Sequence, residues 1–326
     1  MYFADGDRVH ALLPYPVLID WLGDRLAGVV PESTVSIADE PERGGNQFVT
    51  LVGWQKGELI AVKMVGVFPG NLQRQPPEAS IQGLVCAFSG ETGAPVLVAD
   101  GEALTFRKTA ADSGLGAKLL ARADAQTLLV VGAGGLAPHM VAAHRAARPS
   151  IERVRIWNRT IGRAQALAAR LREDGIDAEA VNDLDRAVPD ADVISCVTMS
   201  ERPLVRGALL KPGAHLDLVG SYLPGMRECD EEAIVRANVF VNSRRGIENA
   251  GDLVNAIEKG RFAWTEIRAD AAELCTKAHA GRTQDTEITV YKNIGGGQFD
   301  LFAASCLLAR LRERSEPIST NVHGRT

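Results

Sequence analysis

The stretch that decides the fold is Thr127-Leu-Leu-Val-Val-Gly-Ala-Gly-Gly-Leu-Ala-Pro-His-Met140. A short apolar run, Leu128 to Val131, breaks into glycines and then into a helical pattern. That is how a buried parallel strand turns into a helix around a dinucleotide pyrophosphate. The spacing Gly132-Ala-Gly134-Gly-Leu-Ala137 is a G-x-G-x-x-A variant. Gly132 allows the tight turn, Gly134 lets backbone approach the pyrophosphate, and Ala137 keeps the helix close to the strand. The N–H groups at the helix start then face phosphate charge.

Outward from this loop, the 326 residues suffice for two domains, each with its own core. A net charge of −5 gives no electrostatic reason for a nucleic-acid or anionic-membrane partner. The cluster Arg153, Arg155, Arg159 and Arg163 suits at most a small anion. No basic segment followed by an apolar run opens the chain, and no apolar run is long enough to span a bilayer. The five cysteines are scattered without a C-x-x-C pair, so reduced thiols and a cytoplasmic location are expected.

Before the loop, Pro14–Val30 reads as a helix, followed by strand-like runs at 34–38, 47–54, 58–68, 81–88 and 95–99. These predict a mainly antiparallel sheet with a helix packed on it. From Leu104 a helical pattern bridges to the glycine loop. After it, strands at 154–158, 178–181, 193–197, 215–219 and 239–242 and the helix 161–173 predict a parallel sheet covered on both faces. A helix at 270–280, a last strand at 287–291 and an amphipathic helix at 298–314 complete the pattern, with fraying expected from Glu316. The fold class is α/β, a Rossmann-type doubly wound parallel sheet joined to an α+β domain. Its expected parts are residues 1–115, residues 116–285, and a C-terminal segment 286–326 returning to the first part.

Two positions carry chemical meaning on their own. The end of the second parallel strand, where NAD-type folds place an acidic residue on the ribose, reads Asn158-Arg159-Thr160. Arg159 can pair with a 2′-phosphate, and Asn158 and Thr160 can donate to it, which favours NADPH while leaving NADH open. Lys63 lies inside the apolar run 59–68, where an ammonium is costly unless paired or neutralised. An edge-facing, snorkelling lysine is the bland alternative.

Several blocks in one order then resemble the ornithine cyclodeaminase/mu-crystallin family. They are Val62-Lys-Met-Val-Gly-Val-Phe-Pro-Gly-Asn71, Leu104-Thr-Phe-Arg-Lys-Thr-Ala-Ala111, the glycine loop, Val154–Thr160, Ala191–Thr198, Lys211–His215, Val219-Gly-Ser-Tyr-Leu-Pro224 and Lys292-Asn-Ile-Gly295. The resemblance implies that the Rossmann-type parallel sheet is inserted in an α+β substrate/dimerisation domain, and a homodimer acting on a small amino or imino acid. It implies Lys63 as the active-site lysine and Arg43 as a substrate-carboxylate clamp, and it places Asp300 near the site. A carboxylate in the first turn of a helix is the alternative for Asp300. Lys108 stands where the family commonly has arginine, keeping positive charge but not the planar fork. Tyr222 stands where cyclodeaminases carry a catalytic aspartate, which weakens a lyase reading.

The expected cofactor contacts are Gly132, Gly134, Gly135, Leu136 and Ala137 at the loop. Asn158, Arg159, Thr160 and Arg163 follow after the second strand, and Thr198, Val219 and Gly220 after later ones. With Arg43 and Lys108 on a carboxylate and Lys63 on the imine side, the chemistry suits NAD(P)H-dependent reduction of a cyclic α-imino acid, Δ1-pyrroline-2-carboxylate or its six-membered homologue. An ornithine cyclodeaminase-type lyase and a mu-crystallin-like ligand-binding protein are the alternatives. No metal is expected: His139 and His144 do not share a helix face, and Cys275 with His279 lacks further ligands.

Overall fold

A computed structural model of the chain describes residues 1–43, 45–76 and 78–314, without the side chains of Arg43 and Leu72. The residues from Glu316, expected to fray, lie outside the described residues.

Two sheets organise the described residues. The first has six strands: β1 (Tyr2–Ala4), β2 (Ser33–Asp39), β3 (Gln47–Gln55), β4 (Leu59–Val67), β5 (Ile81–Ser89) and β6 (Pro95–Asp100), in the order β1-β6-β5-β4-β3-β2. Strands β2 to β6 pair antiparallel, as the alternating pattern predicts, while β1 joins β6 in parallel. Three residues are too few for a periodicity signal, which is why β1 had no counterpart in the sequence reading. Lys63 faces the same side as its register partners Leu51 and Val85.

On that side lie the helix Tyr15–Leu26 and the C-terminal helix Gly297–Arg314. Trp21 Nε1 donates to Ser305 Oγ at 3.0 Å, tying the two helices together. A Cβ at Gly53 of β3 would sit 2.9 Å from the Gly297 carbonyl oxygen, so glycine there lets the C-terminal helix lie directly on the sheet.

The second sheet is all parallel. Its strands are β7 (Thr127–Val131), β8 (Arg153–Trp157), β9 (Asp177–Val181), β10 (Val193–Cys196), β11 (His215–Leu218), β12 (Asn238–Val241), β13 (Ala269–Asp270) and β14 (Thr289–Lys292). Their order is β13-β12-β14-β11-β10-β7-β8-β9. Alternate residues of β7 enter different cores: Leu128 and Val130 join the cluster shared with the first domain's helices, Leu129 and Val131 the one on the opposite face. A strand buried on both faces reads as a continuous apolar run for that reason.

One boundary needs correcting. The strand expected at 287–291 is β14, hydrogen-bonded between β11 and β12, so the parallel sheet continues past residue 285. Only the C-terminal helix returns to the first sheet. The helix expected at 270–280 spans only Ala271–Cys275, with Lys277 just beyond it at φ 60°. A non-glycine residue in the left-handed region ends the helical run.

The bridging helix Gly101–Leu120 starts at Asp100, whose side chain accepts the Ala103 N–H at 2.7 Å. A Cβ at Gly116 would lie 2.5 Å from the Tyr291 ring, so this helix presses against β14 as well as the first sheet.

Candidate active site

The strand order reverses between β7 and β10, and ligands of doubly wound sheets bind outside the carboxyl ends at such a point. A cleft of about 520 Å³ lies there, lined by Gly132, Gly134, Trp157, Asn158, Arg159, Arg163 and Thr198, among others. A second cleft of about 810 Å³ continues past Gly134 and Gly135 to His139, Arg163 and Arg170.

Gly132 has φ 121°, and a Cβ there would approach the Val197 carbonyl at 2.8 Å, so only glycine fits without strain. Nothing stands within 4 Å of the Cβ position of Gly134, which leaves the backbone open to a pyrophosphate. Arg159 and Arg163 have no acidic partner among the described residues. Arg155, by contrast, is spent on Glu179 and Asp190 at 2.8 and 2.9 Å. The residues present therefore fit a dinucleotide.

Other expected contacts do different work. Asn158 Oδ1 accepts the Ala133 N–H at 3.2 Å and its amide donates to the Thr160 carbonyl at 2.9 Å, so it braces the glycine loop as well as lining the cleft. Leu136 and Thr160 do not line either cleft. Ala137 is fully buried and serves the close packing of helix on strand. The N–H groups of Val219 and Gly220 are taken by Glu228, at 3.0 and 2.7 Å.

Three segments bring charges together in the interior. Lys63, Lys108 and Asp300 are 8%, 3% and 2% exposed. Lys63 Nζ donates to Asp300 Oδ1 at 3.1 Å and lies 3.0 Å from Oδ2, the latter outside hydrogen-bonding direction. Lys108 Nζ is 3.8 Å from Asp300 Oδ1, in ion-pair range but too far for a hydrogen bond. Lys63 is therefore no edge lysine: β4 is paired on both sides and its ammonium is buried. Asp300 is in the first turn of the C-terminal helix and also pairs with both lysines.

Burial, with a smaller contribution from Lys63, pulls the Lys108 pKa below the usual lysine range; Asp300 and Asp112 oppose this. The Arg43 side chain lies outside the described residues; its backbone ends the turn Pro41–Arg43 between β2 and β3.

The trio adjoins the cleft through the bridging helix. A Cβ at Gly135 would be 2.9 Å from the Phe106 ring, and one at Gly295 would be 3.1 Å from Lys108 Nζ. The bridging helix thus touches the glycine loop through Phe106 and the loop leaving β14 through Lys108. That second loop is anchored by Asn293, whose amide donates to the Thr109 carbonyl at 3.1 Å and Ser113 Oγ at 3.0 Å. Asn242 donates to Asp112 Oδ2 at 2.8 Å and to the Gly295 carbonyl at 2.9 Å. Burial raises the Asp112 carboxyl to about 7 despite bonds from Tyr291 and Asn242. None of Asp112, Asn242 or Glu228 was read from the sequence, and Asn293 only as part of the block Lys292–Gly295; isolated polar residues carry no motif.

His139 belongs to an aromatic cluster instead of a metal site. It accepts or donates at 2.8 Å with Tyr15 and stacks between His10 and Phe106. Among the described residues no group of histidine, cysteine and carboxylate side chains is arranged to hold a metal. None of their helices is long and apolar enough to cross a membrane.

A profile of the ornithine cyclodeaminase/mu-crystallin family matches residues 28–315. The chain belongs to this family. Protein SAR DEFICIENT 4 of Arabidopsis thaliana is 45% identical over 249 residues, 75% of this chain and 76% of that protein. The Delta(1)-pyrroline-2-carboxylate reductase of Paracoccus denitrificans is 40% identical over 255 residues, 77% of this chain and 79% of that protein. In fold, the chain is similar to the solved Delta(1)-pyrroline-2-carboxylate reductase of Thermococcus litoralis, in complex with NADH and L-proline. The TM-score is 0.89 at 24% identity, over 96% of this chain and 98% of that one. That likeness carries the Rossmann domain and the separate sheet domain.

Proposed function

We propose that this chain is an NAD(P)H-dependent reductase of a cyclic α-imino acid, converting Δ1-pyrroline-2-carboxylate to proline, with the six-membered homologue as a second substrate. The observation that carries it is the buried Lys63–Asp300–Lys108 group, whose Lys108 shares a helix with the Phe106 that packs on the glycine loop. Two ammonium groups and one carboxylate leave one uncompensated positive charge, the complement of a substrate carboxylate. Lys108, with the weaker hold on Asp300, has donors to spare for that carboxylate, aided by Arg43. Lys63 faces the imine nitrogen as proton donor, directly or through water, and Asp300 keeps it charged and oriented. The bound cofactor supplies the hydride.

The dinucleotide is a nicotinamide one, and the unpaired Arg159 favours NADPH over NADH. Related reductases support this reading over a cyclodeaminase, as does Tyr222, which offers no carboxylate. We further infer a first domain of residues 1–115 completed by the C-terminal helix, a parallel-sheet domain between them, and a cytoplasmic location for its five free thiols. Two copies pair through the outer face of the six-stranded sheet. Phe3, Phe48, Trp54 and Leu84 are exposed there, on the side opposite Lys63.

Incubating the protein with either cyclic imine and with NADPH or NADH, and following loss of reduced-cofactor absorbance, tests the activity. No turnover with either ring size would sink it, and proline with ammonia from ornithine without added reductant would favour the lyase. For the assembly, sedimentation should give twice the chain mass, reduced to one in Trp54→Glu; a monomeric parent refutes the pairing.

A further inference from the structure

The loop leaving β10 lines the cleft from Val197 to Ser200, and one carboxylate ties it to the loop leaving β11. Glu228 is fully buried. Its Oε1 accepts the Thr198 N–H at 2.6 Å and the Thr198 hydroxyl at 3.0 Å. Its Oε2 accepts the N–H groups of Val219 at 3.0 Å and Gly220 at 2.7 Å. Four donors thus converge on the acceptor sites of one ionised carboxylate. The loops touch closely: any Cβ at Gly220 would collide with the Thr198 carbonyl.

Glu228 is itself pinned. Its N–H and that of Cys229 donate to Asp252 Oδ1 at 2.7 and 3.1 Å, and its carbonyl accepts from Leu204 and Val205 at 3.1 and 2.9 Å. The other Asp252 oxygen accepts the Ser221 hydroxyl, which in turn accepts from Lys292 Nζ at 2.7 Å. Lys292 ends β14, and the loop beyond it leads to Asp300. Nothing in this arrangement reaches the Lys63–Asp300 pair directly, so Glu228 has no part in proton transfer.

We propose that Glu228 is a positioning residue that fixes Thr198, Val219 and Gly220 as the nicotinamide-side wall of the cleft, aligning the cofactor with the imine. With its proton committed to Glu228, the Thr198 hydroxyl oxygen is left as an acceptor on that wall, suited to an N–H such as a carboxamide's. The adenosine half, held at the glycine loop and Arg159, does not depend on this carboxylate.

A pH signature follows from the same geometry. Burial raises the Glu228 carboxyl to about 7, with Asp252 adding to the effect and Lys292 and the backbone donors opposing it. The thiols of Cys196 and Cys229 also face this cluster, and both are kept protonated by burial. Above that pH the ionised carboxylate accepts all four donors; below it a proton competes with them.

The inference rests on the reductase reading, and the test separates the two. In the full-length protein, Glu228→Gln presents an amide N–H where two backbone donors point. Loss of charge-assisted hydrogen bonds predicts about a 10- to 100-fold fall in kcat. The imine KM and the binding of 2′-phospho-ADP-ribose, which lacks the nicotinamide, should stay within about threefold of the parent. The acid limb of the parent kcat profile should also disappear.

Unchanged kcat overturns the proposal, and so does a parallel loss of fragment binding, which marks a general structural role. Thr198→Val removes a single donor and keeps the shape. It should lower kcat in the same direction by about threefold to tenfold, and unchanged turnover there also counts against the proposal. A parent inactive on both imines would sink the reductase reading, whereas whole-cofactor against fragment binding still reads the positioning.

Discussion

The two sides of the cleft treat charge in opposite ways. At the dinucleotide side Arg159 is exposed and without an acidic partner among the described residues, and the glycine loop contributes backbone. At the proposed reacting side Lys63, Lys108 and Asp300 are almost wholly buried and share their charges. Exposed charge is screened and worth little until a ligand arrives, whereas buried charge costs several kcal/mol unless matched. The dinucleotide side should therefore tolerate substitution, and the reacting side should not.

The largest effect is expected at Lys63. Lys63→Ala removes the proposed proton donor and leaves Asp300 with Lys108 alone. Turnover should fall by about 10²- to 10⁴-fold while cofactor binding, followed by nicotinamide fluorescence, persists. Retained turnover would break the contrast, and an inactive parent that still binds a small ligand tightly would identify a binding protein.

A smaller effect concerns pH. The Lys108 pKa is depressed by burial, so its ammonium is present at low pH and lost as pH rises through a value below the ordinary lysine range. The KM for the imine should rise on that alkaline limb. Lys108→Arg, which stays charged, should flatten the limb even if it raises KM overall. An alkaline limb unmoved by this substitution would assign the ionisation elsewhere.

The smallest effect is at Arg159. Arg159→Ala should weaken NADPH by about tenfold, of the order of one exposed charge-assisted contact, and leave NADH within about twofold. Equal losses for both cofactors would show that Arg159 does not read the 2′ position.

The parts legible in sequence share one property: a single segment carries the whole signal. β7 and the glycine turn are contiguous, and the alternation in β3, β4 and β5 follows from one buried face. Lys63 stood out because an ammonium interrupts an apolar strand. The exceptions came from pairing partners invisible to local pattern. β14 lies late in the chain yet sits between β11 and β12, and Asn158 turned out to brace Ala133 across the loop.

By itself, then, the sequence determined a dinucleotide-binding parallel sheet joined to an alternating one, because backbone turns and burial periodicity are local properties. Only the tertiary structure decided that Asp300 is shared by two lysines from β4 and the bridging helix. It alone decided that Glu228 holds the loops of β10 and β11. Those contacts join residues from distant segments, and their energies arise from desolvation and pairing in the folded interior, which no single stretch encodes.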